Sequence, residues 1–126
     1  MFRSNKKQKT NKLDSQKIST VIGVDVLFKG DITGKSAIRV DGVLQGNIEV
    51  ENGLVLGEKG KVKGNINTSY IVVYGTVEGN ITCKELILKN TGVVHGDIST
   101  HTVEIEMGGK YNGQLVMNTP SVTPKK

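Results

Sequence analysis

Few side chains in this 126-residue sequence have the types and spacing that metal binding or nucleophilic catalysis requires. His95 and His101 are the only histidines, and Cys83 is the only cysteine. On neighbouring turns of a repeat structure these three could approach one another and bind zinc, which takes imidazole and thiolate ligands. No second cysteine or acidic residue stands at a recurring ligand spacing, so we predict no metal site. We expect surface or corner positions for the three side chains.

Two glycine-rich segments, GDITG at residues 30–34 and GEKG at residues 57–60, raise the possibility of phosphate binding. Neither contains the Gly-Lys-Ser/Thr sequence that opens a helix in a nucleotide-binding loop. We therefore predict that the protein is not an enzyme, uses no cofactor and does not assemble by nucleotide hydrolysis.

The glycines also mark an internal repeat that covers about residues 18–117. Six glycines are each followed by Asp, Asn or Gln and then by Ile or Leu, at successive intervals of 16, 18, 15, 17 and 17 residues. An apolar side chain stands two residues before each glycine, and another stands eight residues before it. The six glycines are Gly30, Gly46, Gly64, Gly79, Gly96 and Gly113.

A period near 17 residues predicts a β-helix whose turns each contain three short strands. Aromatic residues make up only 4% of the chain and Trp is absent, whereas Val and Ile are frequent, which favours strands over helices. The predicted fold is all-β: a single-domain parallel β-helix of about six three-stranded rungs, roughly 29 Å long, over residues 18–117. Disordered tails are expected at residues 1–17 and 118–126.

The residue after each glycine predicts a corner column along this β-helix. Asn47, Asn65 and Asn80 would lie above one another, with Asp31 and Asp97 on either side of them in the column. Stacked amides can form a hydrogen-bonded ladder, whereas stacked carboxylates would repel one another. The alternative is that Asn is simply a common turn residue after Gly.

The first and last rungs of a β-helix expose unpaired backbone groups and a cross-section of the apolar core. Neither end of this sequence carries an evident polar cap, so both ends are predicted to dock to another copy of the chain. The alternative is that the tails fold back as caps. The predicted polymer interface consists of Ile18, Val21 and Ile22 at one end and Tyr111, Leu115 and Met117 at the other.

The net charge of +5 is concentrated in the N-terminal tail, since residues 1–17 contain six basic residues against Asp14 alone. The rest of the chain is neutral, which argues against a nucleic-acid-binding face. Phe2 could enter a membrane interface while the cations meet anionic headgroups, at about 1 kcal/mol each. A solvated tail that only aids solubility is the alternative. The predicted membrane-binding residues are Met1, Phe2, Arg3, Lys6, Lys7 and Lys9.

The basic tail beginning Met-Phe, the Gly-[Asp/Asn]-Ile rungs and the short polar C-terminal tail together resemble the bactofilins. The stretch at residues 38–48 is similar to the first well-formed turn of that family. The resemblance implies a bacterial cytoskeletal protein with a right-handed β-helix that assembles end to end without nucleotide, often on the inner face of the cytoplasmic membrane. An apolar residue in the last turns, often Phe, is important for polymerisation in that family. Here the role would pass to Tyr111, Leu115 or Met117.

The resemblance also implies partners and a location. The partners would be further copies of the chain, the anionic inner membrane surface and, in addition, cell-wall enzymes or other bactofilins; nucleic acid is not among them. The filament would serve cell shape, the placement of cell-wall enzymes, polarity or motility. The lone Cys83 and the absence of a signal-peptide pattern or long apolar run fit this cytoplasmic location.

Two other function classes compete with a filament. A monomeric β-helix could act as a binding scaffold for a cell-wall polymer or a partner enzyme, through charged side chains such as Lys61, Lys63 and Glu78. A left-handed β-helix acyltransferase is the second rival, but its 18-residue coil is kept strictly, whereas the intervals here vary from 15 to 18.

Overall fold

The computed structural model describes residues 18–117 as a parallel β-solenoid of eighteen short strands. The predicted tails at residues 1–17 and 118–126 lie outside the described residues. The strands are Ile18–Ile22 (β1), Leu27–Lys29 (β2), Ile32–Gly34 (β3), Ala37–Val40 (β4), Val43–Gln45 (β5), Ile48–Val50 (β6), Leu54–Leu56 (β7), Lys61–Lys63 (β8), Ile66–Thr68 (β9), Tyr70–Val73 (β10), Thr76–Glu78 (β11), Ile81–Thr82 (β12), Glu85–Leu88 (β13), Val93–His95 (β14), Ile98–Thr100 (β15), Thr102–Ile105 (β16), Lys110–Asn112 (β17) and Leu115–Met117 (β18).

Each turn of the solenoid contributes one strand to each of three six-stranded parallel sheets. Sheet A contains β1, β4, β7, β10, β13 and β16; sheet B contains β2, β5, β8, β11, β14 and β17; sheet C contains β3, β6, β9, β12, β15 and β18. Strands therefore pair with the strand one turn earlier and one turn later, never with their neighbour in sequence. The predicted all-β solenoid of about six three-stranded rungs is confirmed.

The core is a stack of side chains between the three sheets, because alternate residues of each strand point inwards. The apolar residue two before each repeat glycine forms the inner column of sheet B, and the Ile or Leu two after it forms the inner column of sheet C. Leu44, Val62 and Val77 have no exposed surface, and Ile48 and Ile66 are 1% exposed. Small β-branched and Leu side chains thus fill the middle of the core, and the aromatic residues Phe28 and Tyr111 pack against it in the end turns.

The apolar position eight residues before each glycine is not a single column in the structure. Ile22, Leu56, Leu88 and Ile105 share one column, whereas Ile38 and Ile71 belong to the neighbouring inward column of sheet A. The turn from sheet A to sheet B causes the difference: it has two residues after β4 and β10 but four after the other sheet A strands. A change of two residues preserves the direction of side chains, so all six still point inwards.

The corner between sheets B and C explains why glycine defines the repeat. The six repeat glycines have φ between +138° and +154°, where a side chain is strained. At Gly46 a Cβ would also collide with the carbonyl oxygen of Gly30 on the preceding turn. Glycine is therefore required both by the backbone conformation and by the close approach of successive turns.

Candidate polymerisation surfaces

Within residues 18–117, exposed large apolar side chains occur only in the first and last turns of the solenoid. No side chain of this kind is exposed between Leu27 and Ile105. We call the first turn, β1 to β3, the N-terminal end, and the last turn, β16 to β18, the C-terminal end. The exposed residues are Ile18, Val21, Val24, Val26 and Leu27 at the N-terminal end and Ile105, Met107, Leu115, Val116 and Met117 at the C-terminal end.

The three residues predicted to form the N-terminal interface lie in different environments. Ile18 is 37% exposed at the start of β1. Val21 is 59% exposed, but it pairs with Arg39 and points out of the face of sheet A rather than along the solenoid axis. Ile22 is only 6% exposed, because it pairs with Val40 and is part of the buried core. The expectation that Ile22 is an accessible docking residue is therefore wrong.

Three further residues at the N-terminal end are exposed and were not predicted, namely Val24, Val26 and Leu27. Val24 and Val26 lie in the four-residue turn from sheet A to sheet B, where Asp25 has a φ of 74°. The equivalent middle turn at residues 57–60 has Glu and Lys between its glycines. The sequence could have predicted this exposed apolar surface, because these residues are apolar where the equivalent middle turn is polar.

The C-terminal end brings its three predicted residues onto one face of the solenoid. Tyr111 pairs with Val94, Leu115 with Ile98, and Met117 with Thr100, so each continues an inward column. Leu115 is 37% and Met117 is 51% exposed, since no further turn within residues 18–117 covers them. Ile105 and Met107 extend this face and were not predicted; Met107, in the sheet A to sheet B turn, is 96% exposed.

The hydroxyl of Tyr111 is a polar group within this apolar end. Its oxygen is buried and has no hydrogen-bond partner within residues 18–117. Burial raises the pKa of Tyr111, the negative charge of Asp97 adds to the increase, and the Ile98 main chain opposes it. The Tyr111 hydroxyl therefore lies beside the Ile98 main chain rather than in open solvent.

The predicted corner column is present, and side-chain to backbone hydrogen bonds connect its residues in place of the amide-to-amide ladder, which was one of the two alternatives. The Oδ1 atom of each residue accepts a hydrogen bond from the backbone N–H one turn later. Only an acceptor is needed, so Asp serves as well as Asn. The N–H to Oδ1 pairs are Asn47 to Asp31 at 2.9 Å, Asn65 to Asn47 at 3.0 Å, Asn80 to Asn65 at 3.2 Å, Asp97 to Asn80 at 3.1 Å and Gln114 to Asp97 at 3.2 Å.

The residues considered for metal chemistry are dispersed. Cys83 lies at the corner between β12 and β13, one of the two expected positions, but its side chain is 6% exposed and points into the core rather than to the surface. Its thiol lies 3.4 Å from the Thr100 hydroxyl, and burial raises its pKa. His95 ends β14 on the exposed side of sheet B, whereas His101 lies between β15 and β16. Among residues 18–117, no three His, Cys, Asp or Glu side chains are grouped to hold a metal ion.

The predicted membrane-binding residues, from Met1 to Lys9, lie outside the described part of the chain. The described residues contain no helix with the length and hydropathy needed to cross a membrane.

Comparison with known proteins identifies relatives that share both sequence and fold. The family described as "Bactofilin: Polymer-forming cytoskeletal" matches residues 20–116. Two Myxococcus xanthus proteins are similar over 79% of the chain: bactofilin BacP is 32% identical and bactofilin BacO is 30% identical. The matched region is 42% of BacP and 80% of BacO, so the chain corresponds to less than half the length of the first relative.

Two solved structures share the solenoid. The Thermus thermophilus bactofilin, seen by cryo-EM in double helical filaments, superposes with a TM-score of 0.75 at 27% identity, over 79% of this chain and 100% of the other. The cytoskeletal bactofilin BacA, solved by solid-state NMR, superposes with a TM-score of 0.74 at 31% identity, over 82% of this chain and 100% of the other. The chain therefore belongs to the bactofilin family of cytoskeletal proteins.

Proposed function

We propose that this bactofilin polymerises end to end, without nucleotide, into filaments that act as a structural scaffold at the inner face of the cytoplasmic membrane. The observation that carries this proposal is the confinement of exposed apolar side chains to the two ends of the solenoid. Patches of this kind on a soluble protein mark contact surfaces. The role is structural rather than enzymatic.

Joining two ends would satisfy several exposed groups at once. Each of the three sheets terminates in a short strand at both ends within residues 18–117. Such edge strands present backbone donors and acceptors that another strand can pair with. At the C-terminal end the columns of Tyr111 and Leu115 would be covered by the incoming subunit. The contact therefore combines β-pairing with burial of apolar surface.

Membrane attachment is proposed for the N-terminal residues Met1, Phe2, Arg3, Lys6, Lys7 and Lys9. Each cation contributes about 1 kcal/mol near an anionic surface, so one copy would bind weakly and reversibly. A filament that presents many such segments in a row would bind much more tightly through effective concentration. Polymerisation and membrane attachment thus reinforce each other.

The filament proposal is tested by electron microscopy and sedimentation of the purified full chain without nucleotide. Wild-type protein should form long filaments. Leu115→Asp places a carboxylate in the end face and should abolish or shorten them, with the β-rich circular dichroism unchanged. Thr82→Asp is the matched control, because Thr82 is exposed on the outer side of sheet C in the middle of the solenoid. A monomeric wild type, or normal filaments of Leu115→Asp, would overturn the proposal.

The same variant separates two ways of joining ends. If unlike ends join, every contact needs a C-terminal end, and Leu115→Asp should sediment as a monomer. If like ends join, the intact N-terminal ends still pair, and the variant should sediment as a dimer. A Val26→Asp variant, altered only at the N-terminal end, should then give the complementary dimer through its C-terminal ends.

The membrane proposal is tested by flotation of the chain with anionic liposomes. Deletion of residues 2–9 should release the protein from the liposomes while filaments persist. Phe2→Ala should weaken binding less than the deletion, because the cations remain. Liposome binding that is unchanged after the deletion would rule out the N-terminal segment as the attachment site.

A further inference from the structure

The outer face of sheet A carries an apolar cluster that is separate from the core. Val55 on β7 and Val72 on β10 point outwards, since their neighbours Leu54, Leu56 and Ile71 point inwards. Val55 is 8%, Val72 is 4% and Tyr70 is 7% exposed, and Ile87 packs against them. We call Val55, Tyr70, Val72 and Ile87 the outer cluster.

This burial is deeper than the sheet alone provides. A sheet face that borders water leaves its side chains partly accessible, because neighbouring strands flank them but do not cover them. On sheets B and C no outward-facing strand residue within 18–117 is buried; Val43 and Val93, for example, are partly exposed. All eighteen described strands belong to the three walls of the solenoid, so none of them lies over sheet A. Tyr74, in the turn after β10, packs against the cluster, and we attribute the rest of the burial to a further layer over it.

We propose that residues 10–17, the segment before β1, dock across the outer face of sheet A with Leu13 over Val55 and Val72. The segment joins β1, the first strand of this same sheet, whereas the other end of the described chain leaves from sheet C. Three strand spacings, about 14 Å, separate β1 from β10. The five residues from Leu13 to Ile18 span up to about 17 Å when extended. Leu13 is the one large apolar residue in this segment.

The charges on the two surfaces are complementary beyond the outer cluster, whereas nearer β1 the outward-facing Arg39 is paired with Asp41. Beyond the outer cluster, sheet A presents carboxylates at Glu85 on β13 and Glu104 on β16. Residues 1–17 carry six basic residues against one acidic residue. A segment that crosses the sheet from β1 brings Lys12 towards Glu85. Four strand spacings, about 19 Å, separate β1 from β13, and the six residues from Lys12 to Ile18 together with the Lys side chain can cover that distance. Lys9 would then approach Glu104.

The docking fixes the direction in which residues 1–9 leave the solenoid. Every subunit would project them from its own sheet A wall. The docking requires neither the filament nor the membrane, so its test is independent of both proposed functions.

The test is a pair of engineered cysteines in the full chain, Leu13→Cys with Val72→Cys, oxidised at low protein concentration. The matched control pairs Leu13→Cys with Thr82→Cys, on the exposed outer side of sheet C. The native Cys83 is buried and the pKa of its thiol is raised, so it reacts slowly. If the segment docks, the intrachain disulfide should form about tenfold faster in the Leu13→Cys/Val72→Cys pair than in the control pair. The reason is the higher effective concentration of the two thiols around each other.

Three results would overturn the proposal. Equal rates in the two pairs would show that the segment does not favour sheet A. Disulfides between chains in the Val72 pair would assign the outer cluster to a second copy. A faster disulfide between Val122→Cys and Val72→Cys would assign it to residues 118–126.

Tryptic cleavage tests the same docking with the core cysteine as the only thiol. Cleavage after Lys12 and Lys17 in the wild-type chain should be on the order of tenfold slower than after Lys6 or Lys7, because proteolysis follows the population of the open segment. Val72→Lys should remove this difference, and the control Thr82→Lys should keep it. Equally fast cleavage at all four sites in the wild type contradicts docking.

Discussion

The middle turns and the end turns of the solenoid use the same repeat but bury it to different extents. In one column of sheet A, Leu56 and Leu88 have no exposed surface, whereas Ile105 is 47% exposed. In the inner column of sheet C, Ile66 is 1% and Leu115 is 37% exposed. The residues are equivalent, and only the presence of a following turn distinguishes them. The middle turns therefore stabilise the fold, while the end turns leave apolar surface available for assembly.

The turns between sheets A and B show the same contrast. The middle four-residue turns contain Glu58 and Lys59, or Asn90 and Thr91, and all four side chains are exposed. The first turn contains Val24 and Val26 instead, and the last contains Met107. The end turns depart from the repeat where polarity would otherwise be expected. Under the proposed end-to-end assembly, these apolar turn residues would lie at the contact between subunits.

The strongest test of this contrast is Gly64→Ala in a middle corner. Gly64 has a φ of +150°, and a Cβ there would collide with the carbonyl oxygen of Gly46. We expect destabilisation by more than about 3 kcal/mol, or loss of folding, since strain and a backbone clash combine. The measurement is urea unfolding followed by circular dichroism, in the Leu115→Asp background to limit assembly. The control Gly34→Ala, with nothing within 4 Å of its Cβ, should change stability by less than about 0.5 kcal/mol.

The second test compares Leu56→Ala in the middle with Leu115→Ala at the C-terminal end. Leu56 is fully buried, so its truncation leaves a cavity and should cost about 2–5 kcal/mol of unfolding free energy. Leu115 is partly exposed, and its truncation should cost less than about 1 kcal/mol in the unassembled protein. Among folded molecules, Leu115→Ala should impair filament formation more than Leu56→Ala does. Similar unfolding costs for the two variants would remove the distinction between middle and end.

The fold was predictable because the same pattern of glycine and apolar residues occurs six times in the sequence. The glycine column and the apolar columns beside it predicted the number of turns, the three sheets and the inward residues. The mixed column eight residues before each glycine was not recognised, because turns of two and four residues give the same side-chain direction. Spacing alone cannot separate them.

The ends were harder to predict, since a single sequence does not show which side chains lack a following layer. Tyr111, Leu115 and Met117 were predicted because they continue the columns, and Ile22 was predicted for the same reason, although the structure buries it in the core. Val24, Val26 and Met107 were missed because turns are expected to be polar. The outer cluster was missed because Tyr70, Ile71, Val72 and Val73 are all apolar, which hides the alternation of inward and outward residues.

A smaller effect is expected in the corner column, which continues through middle and end turns alike. Asn65 Oδ1 accepts a hydrogen bond from the Asn80 N–H at 3.2 Å. Asn65→Ala removes the acceptor and should cost about 1 kcal/mol, the usual net value of a hydrogen bond. Asn65→Asp keeps an acceptor and should cost distinctly less, as Asp31 and Asp97 already occupy equivalent positions. Urea unfolding of the two variants decides the matter, and equal losses would show that the amide group itself is required.

The smallest expected effect is a pH-dependent ion pair that ties the last A to B turn to the preceding one. Lys89 Nζ lies 2.8 Å from Glu106 Oε2, and the Asn90 N–H donates to Glu106 Oε1 at 3.2 Å. The hydrogen bond from Lys89 lowers the pKa of Glu106, and the same contact raises the pKa of Lys89. A depressed carboxyl pKa contributes stability above the ordinary carboxyl value and loses it as the pH falls through the folded value. The raised Lys89 pKa leaves that contribution intact until strongly alkaline pH.

Glu106→Gln should therefore shift the urea midpoint slightly downwards at neutral pH, and the difference from wild type should vanish in acid. Both partners are on the surface, so added salt should reduce the difference as well. The control is Glu49→Gln, at an exposed carboxylate on the outer side of β6. A Glu106→Gln difference that stays constant from neutral to acid pH would mean that the ion pair is not its source. Because Gln keeps an acceptor for the Asn90 N–H, such a loss would have to come from side-chain packing that does not depend on charge.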